Sequence, residues 1–117
     1  MRLFLCEVLQ NGRVDSLPKF VADSYVDHSA HASDAASLGA FLREARAERG
    51  YSYESVHRVA GDAGGLVATL SKAVHERTRE EFAVFDLFRV AGGRIAEHWD
   101  SSEPIGPRSE WANGGKF

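Results

Sequence analysis

At 117 residues, with 44% apolar and 26% charged side chains, the chain has the length and composition of one globular domain, with material for a single core and not for two. Its net charge of −3 gives no electrostatic basis for a nucleic-acid partner or an anionic membrane surface. A lone cysteine, Cys6, excludes an internal disulfide.

The apolar start MRLFLCEVL is short, carries a glutamate and lacks a small-residue cleavage site, so it reads as neither an export signal nor a membrane span, and a cytoplasmic protein is expected. Met1, Phe4, Leu5 and Val8 recur at helical spacing until Asn11-Gly12, which predicts a first helix over 1–10 with Cys6 as a buried thiol. Val14, Leu17, Phe20 and Val21 repeat that spacing and predict a second short helix, with Pro18 in its first turn. A longer helix is expected over 34–49. Ser33 or Asp34 caps it, Leu38, Phe41, Leu42 and Ala45 form its apolar stripe, Gly50 ends it, and Arg43, Glu44, Arg46 and Glu48 form a solvated face.

From Tyr51 the period shifts towards two. Strands are predicted over 51–60, 65–75, 82–90 and 94–103, separated by GDAGG, ERTREE and AGG. Such short connections imply antiparallel neighbours, hence a curved meander with helices on one side. The tail from Pro104 to Phe117, rich in Pro, Gly and Ser, is expected to be irregular, and the whole chain, 1–117, is read as one domain.

The last hairpin, RVAGGRIAEHWDSSE over 89–103, admits two registers. A two-residue turn on Gly92-Gly93 sets Asp86 opposite Trp99. A three-residue turn with Gly93 in the left-handed position pairs Val90 with Arg94 and Asp86 with His98, and brings Val84, Asp86, Phe88, His98 and Asp100 onto one face. The second is preferred, because it gathers the ionisable groups on one surface and leaves Phe85, Leu87, Glu97 and Trp99 on the other. A sheet apolar on both sides suggests a cavity or helices on one face and a second copy of the chain on the other.

The order of two helices, the segment ADSYVDHS (22–29), a long helix, and a meander ending in FDLFRVAGGRIAEHWD (85–100) resembles the SnoaL-like polyketide cyclase family of the nuclear transport factor 2-like superfamily. The resemblance spans nearly the whole chain. It implies an α+β fold in which a cone-shaped, curved antiparallel sheet and three helices from the first half of the chain enclose a pocket, with homodimerisation through the sheet. Members similar to this chain include aldol-closing polyketide cyclases, ketosteroid isomerases, limonene epoxide hydrolases and dehydratases, so fold and reaction are separate questions.

Carried over residue by residue, the resemblance places Asp100 at the acid/base aspartate of the cyclases. Asp86 falls at the strand position of their pocket histidine, which in the isomerases is an oxyanion-hole aspartate. His28 lies at or one place beside the isomerase base, and Tyr25 is the usual aromatic of its segment. Leu5 and Leu70 are departures, standing where relatives often carry a tyrosine and a histidine. With Phe88 and Val84 they are expected to line the pocket, and they make isomerase chemistry less suited to this chain.

The chemistry also follows from the residues. Proton removal beside a carbonyl needs a base and a donor for the enolate oxygen. Two carboxylates sharing an apolar face push one pKa upward, so Asp100 suits the base, Asp86 or His98 the donor, and His28 a proton shuttle. The expectation is therefore a cofactor-independent enzyme acting on a small apolar carbonyl or polyketide-like compound, by aldol cyclisation or isomerisation. The alternative is a binding or dimerisation module that keeps the pocket without a reaction.

Structural roles compete at each position: Asp86 and His98 as a cross-strand ion pair, Asp100 as a strand-end acceptor, His28 and His31 as surface histidines. His57 and His75 are taken as exposed, and Trp99 and Trp111 as packing or interface residues. No metal site is expected, since His28, His98, Asp86 and Asp100 lack tight ligand spacing. No nucleophile elbow, phosphate loop or cysteine–histidine pair is present.

Overall fold

A computed structural model describes residues 2–60 and 65–117. Helix α1 (Arg2–Phe4) continues as a π-helical stretch, Leu5–Gln10, closed by the Asn11 N–H on the Cys6 carbonyl. Phe4, Leu5 and Val8 are buried as their spacing predicts, but Cys6 is exposed, on the side of the helix away from that stripe. The second expected helix is a 3₁₀ turn, Val14–Lys19, and it stops before Phe20. Val21 instead opens a strand, β1 (Val21–Asp27), in which Val21, Tyr25 and Asp27 are buried. Their apolar spacing fits a helix at one end and a strand at the other, and packing against the sheet decides between them.

Helix α2 (Ala35–Arg49) lies where its signals put it. Asp34 accepts the Ser37 N–H at 2.8 Å while the Ser37 hydroxyl accepts the Asp34 N–H at 3.0 Å, a reciprocal capping box. Gly50, at φ 63°, ends it in the left-handed conformation. Arg46 departs from the solvated face: it is half-buried, and its Nη2 donates to the carbonyls of Leu9 and Gln10 at 3.1 and 2.6 Å, clamping α2 to the end of the first helix.

Strands β2 (Tyr51–Ala60), β3 (Leu66–His75), β4 (Glu81–Ala91) and β5 (Arg94–Ile105) match the expected meander, and β1 adds a fifth strand, in the order β1-β5-β4-β3-β2. The GDAGG connection falls mostly on 61–64, outside the described residues. All neighbours are antiparallel except β1 and β5, which run parallel and set Asp27 beside His98. Because β1 pairs only as far as His98, the end of β5 is an edge, and Pro104 can extend the strand two residues beyond the expected limit without losing a needed N–H. The tail beyond it holds only the 3₁₀ turn Arg108–Glu110, with Trp111 donating its indole N–H to the Gly106 carbonyl at 2.8 Å.

The last hairpin turns on two residues, not three. Ala91 pairs with Arg94, and Gly92 and Gly93 sit at φ 59° and 77°, the mirror-image turn that suits strand twist. A bulge at Ala96 then slips the register by one, so that Arg89 pairs with Glu97, Phe88 with His98 and Asp86 with Asp100. Val84, Asp86, Phe88, His98 and Asp100 thus share a face as expected, but the bulge rather than the turn puts them there, and the partner of Asp86 is Asp100 rather than His98.

Candidate functional site

Between α2, the first helix and the inner face of the sheet lies a cavity of about 370 Å³. Leu38, Phe41, Leu42 and Ala45 of α2 form one apolar wall, Phe4, Val8 and Leu9 a second, and Ala73, Phe82, Val84 and Phe88 the sheet side. Its polar groups are Tyr25, Tyr53, Asp86, His98 and Asp100, with Ser29, His31, Arg46 and Ser102 at its margins. A mostly apolar chamber with a few convergent polar groups is the usual form of a small-molecule site.

The polar groups are joined by hydrogen bonds. His98 donates from Nδ1 to Asp27 at 3.2 Å, which the parallel β1–β5 pairing puts alongside it, and from Nε2 diagonally across the hairpin to Asp86 at 2.8 Å. Tyr25 donates to the second oxygen of Asp27 at 2.5 Å, the Ser29 N–H to the first at 2.8 Å, and Tyr53 to the second oxygen of Asp86 at 3.0 Å. Phe88 stacks on the His98 ring at 4.8 Å between centroids. Asp27, Asp86 and His98 are all at least nine-tenths buried.

Burial works against a charged His98, but the hydrogen bonds and charges of Asp27 and Asp86 outweigh it and raise its pKa to about 9, so the imidazolium form prevails at neutral pH. Burial likewise opposes ionisation of Asp27, and the bonds from His98, Tyr25 and Ser29 overcome it, holding its pKa at about 2. Asp100 differs. Burial pushes its pKa up and the Asp86 and Asp27 charges push it further, His98 pulls the other way, and no hydrogen bond among the described residues supports its ionised form. The Asp86 and Asp27 carboxylates beside it thus disfavour a further negative charge on Asp100.

Asp86, His98 and Asp100 offer atoms within 4.8 Å of one another that could hold a metal ion. A metal ion there would have to displace the proton of His98 Nε2 and its bond to Asp86, and the His98 pKa of about 9 makes that displacement costly at neutral pH.

The SnoaL-like domain family matches residues 2–98, from the first helix into β5 as far as His98; Asp100 and Ser102 of the cavity lie beyond the matched span. The chain belongs to the SnoaL-like family. No curated protein matches the sequence. Among solved structures, a loop-truncated variant of IdmH is 24% identical with a TM-score of 0.70, covering 85% of this chain and 87% of its own. Wild-type IdmH from Streptomyces antibioticus, a candidate polyketide cyclase, is 23% identical at a TM-score of 0.66, with 85% and 86% covered. An LEH-like epoxide hydrolase of M. tuberculosis is 21% identical at a TM-score of 0.66, with 85% and 77% covered. At these identities the likeness is one of fold.

Within this SnoaL-like chamber the structure brings together six of the nominated residues: Tyr25, Val84, Asp86, Phe88, His98 and Asp100. Three lie elsewhere. Leu5 is 1% exposed inside the core, behind Phe4, which takes the cavity wall. Leu70 pairs with Phe85 and so faces the other side of the sheet. His28 is on the outer side of β1, its Nε2 2.8 Å from Glu97 and its ring stacked on Trp99 at 5.0 Å, so a shuttle across the cavity has no geometric basis. Two residues were passed over. Asp27 is the neighbour of His28, one place along, and the period-two burial of Val21, Tyr25 and Asp27 is the signal that points to it. Tyr53 carries no such signal, because its reach to Asp86 depends on how β2 curves over β3. His31 also lines the cavity, stacked on Phe41 at 4.6 Å.

Proposed function

We propose that this SnoaL-like protein binds a small, largely apolar carbonyl or polyketide-like compound and acts on it by acid/base catalysis without a cofactor, in an aldol closure or isomerisation. The observation that carries the reading is Asp100, an exposed carboxyl lining the apolar chamber, whose pKa is raised by partial desolvation and by the Asp86 and Asp27 carboxylates. A carboxylate of raised pKa is a stronger base towards a proton on carbon than one of ordinary pKa. His98 and Asp86 are held in one ionisation arrangement by their mutual bonds, so their part is to set the field around Asp100 rather than to exchange protons. Tyr25, Val84 and Phe88 form the binding surface.

A second reading, a pocket that binds without a reaction, draws on the same bonds: both ring nitrogens of His98 are engaged, which also suits a purely structural ion cluster. Carbon NMR of the aspartate carboxyls, with Asp100 assigned through Asp100→Asn, separates the two. Titration of Asp100 well above ~3.9 supports the acid/base role, and titration at or below it leaves the binding module. The reading extends to a cytoplasmic homodimer formed through the outer sheet face, where Phe85 is 48% and Leu66 37% exposed beside Leu70, Leu87 and Trp99. Among the described residues no helix is long and apolar enough to cross a membrane.

A further inference from the structure

Base catalysis beside a carbonyl leaves negative charge on oxygen, and that oxygen needs a donor. Neither group expected for this role is free to serve: His98 spends both N–H groups on Asp27 and Asp86, and Asp86 accepts from His98 and Tyr53. Both phenols of the chamber donate to an aspartate, but Tyr25 is held tightly on Asp27 at 2.5 Å, whereas Tyr53 reaches Asp86 at 3.0 Å and is the one more easily turned.

Beneath Tyr53 the sheet has an unusual floor. Thr69 and Ser71 are 1% and 0% exposed, and Thr69 Oγ1 and Ser71 Oγ complete no hydrogen bond. The register explains their burial. Tyr53 pairs with Ala73, and Thr69 with Asp86, so a Tyr53 side chain that reaches Asp86 must lie across the strand over both hydroxyls. Buried hydroxyls without partners are unfavourable, and a fold tolerates them most readily where they have work elsewhere. Both stand close enough to the Tyr53 oxygen to favour its ionised form, against burial and the Asp86 charge, which hold the phenol protonated.

We propose that Tyr53 is the hydrogen-bond donor to the ligand oxygen, turning its O–H from Asp86 to a carbonyl or enolate oxygen in the cavity while the Thr69 and Ser71 hydroxyls support the Tyr53 oxygen from below. The proposal rests on the acid/base reading for its chemistry, but the donor site itself is testable without turnover. A protonated phenol donates without losing its proton, so no further reactant is needed. Thr69 and Ser71 act through Tyr53 and are positioning residues.

The test uses acetophenone carrying a ¹³C carbonyl, a small apolar ketone, added to the full chain and followed by infrared spectroscopy. The bound carbonyl stretch moves to lower wavenumber in the wild-type protein, and Tyr53→Phe, checked for an unchanged unfolding profile, loses that shift and binds about fivefold more weakly. Thr69→Val with Ser71→Ala keeps the phenol but reduces the shift. No shifted band in the wild-type protein, or the same band in Tyr53→Phe, overturns the proposal. An Asp100 that titrates normally sinks the base and leaves this donor site standing, so the two failures are distinguishable.

Discussion

The imidazolium of His98 makes stability depend on pH in a direction opposite to that of an ordinary buried histidine. Its pKa rises from 6.5 to about 9 on folding, so the stabilisation is complete below pH 6.5 and is lost as pH climbs through 9. At about 1.4 kcal/mol for each tenfold change in proton affinity, the loss is about 3 kcal/mol, and it comes from the bonds and charges that Asp27 and Asp86 present to His98. For a domain of this size that lowers Tm by roughly 10 °C. Asp100, whose pKa is raised, adds a decline of the same sign that begins in the ordinary carboxylate range. Asp27 works at the other end: its pKa of about 2 gives stability that is present above 3.8 and lost as pH falls towards 2. Urea unfolding followed by far-ultraviolet circular dichroism from pH 3 to 10, with His98 tracked by NMR, measures all three. His98→Gln removes the charge, leaves two buried carboxylates unmatched, costs roughly 3–5 kcal/mol near pH 6, and flattens the alkaline limb. A stability that is level between pH 6.5 and 9, or a His98 ring that titrates near 6.5, would refute the reasoning.

Two glycines in left-handed conformations are expected to respond differently to alanine. At Gly65, φ 63°, an added Cβ meets the Val90 carbonyl oxygen at 2.3 Å, whereas at Gly92, φ 59°, it meets nothing within 4 Å; Gly92→Ala therefore costs only the conformational penalty of about 1 kcal/mol and Gly65→Ala distinctly more, as chemical denaturation shows directly. Asp34→Ala opens the capping box and destabilises the first turn of α2, so amide exchange there speeds up while the strands stay protected.

Period and punctuation made most of the fold legible. Gly50 ends α2 and the four strands of the meander lie within two residues of their expected bounds, because backbone hydrogen bonds, turns and one buried face act locally. Strand β1 was not legible. Val14, Leu17, Phe20 and Val21 fit a helical stripe, and only the parallel partner β5, far along the chain, favours extended backbone from Val21. The candidate site was legible in part for the same reason. His98 and Asp100 share a face by alternation, but Asp86 joins them only through the Ala96 bulge, and Asp27 and Tyr53 enter through contacts 71 and 33 residues apart in sequence.

By itself the sequence determined the class of the fold and the alternation along each strand of the last hairpin, since each depends on patterns a few residues long. The tertiary structure alone decided the register of that hairpin and the ionisation of His98 and Asp100. Charge on His98 depends on which carboxylates the β1–β5 pairing and the Ala96 bulge bring to its two nitrogens, and the raised pKa of Asp100 depends on what surrounds it once the chamber closes. Electrostatic energies vary with distance and with exclusion of water, and a linear pattern encodes neither.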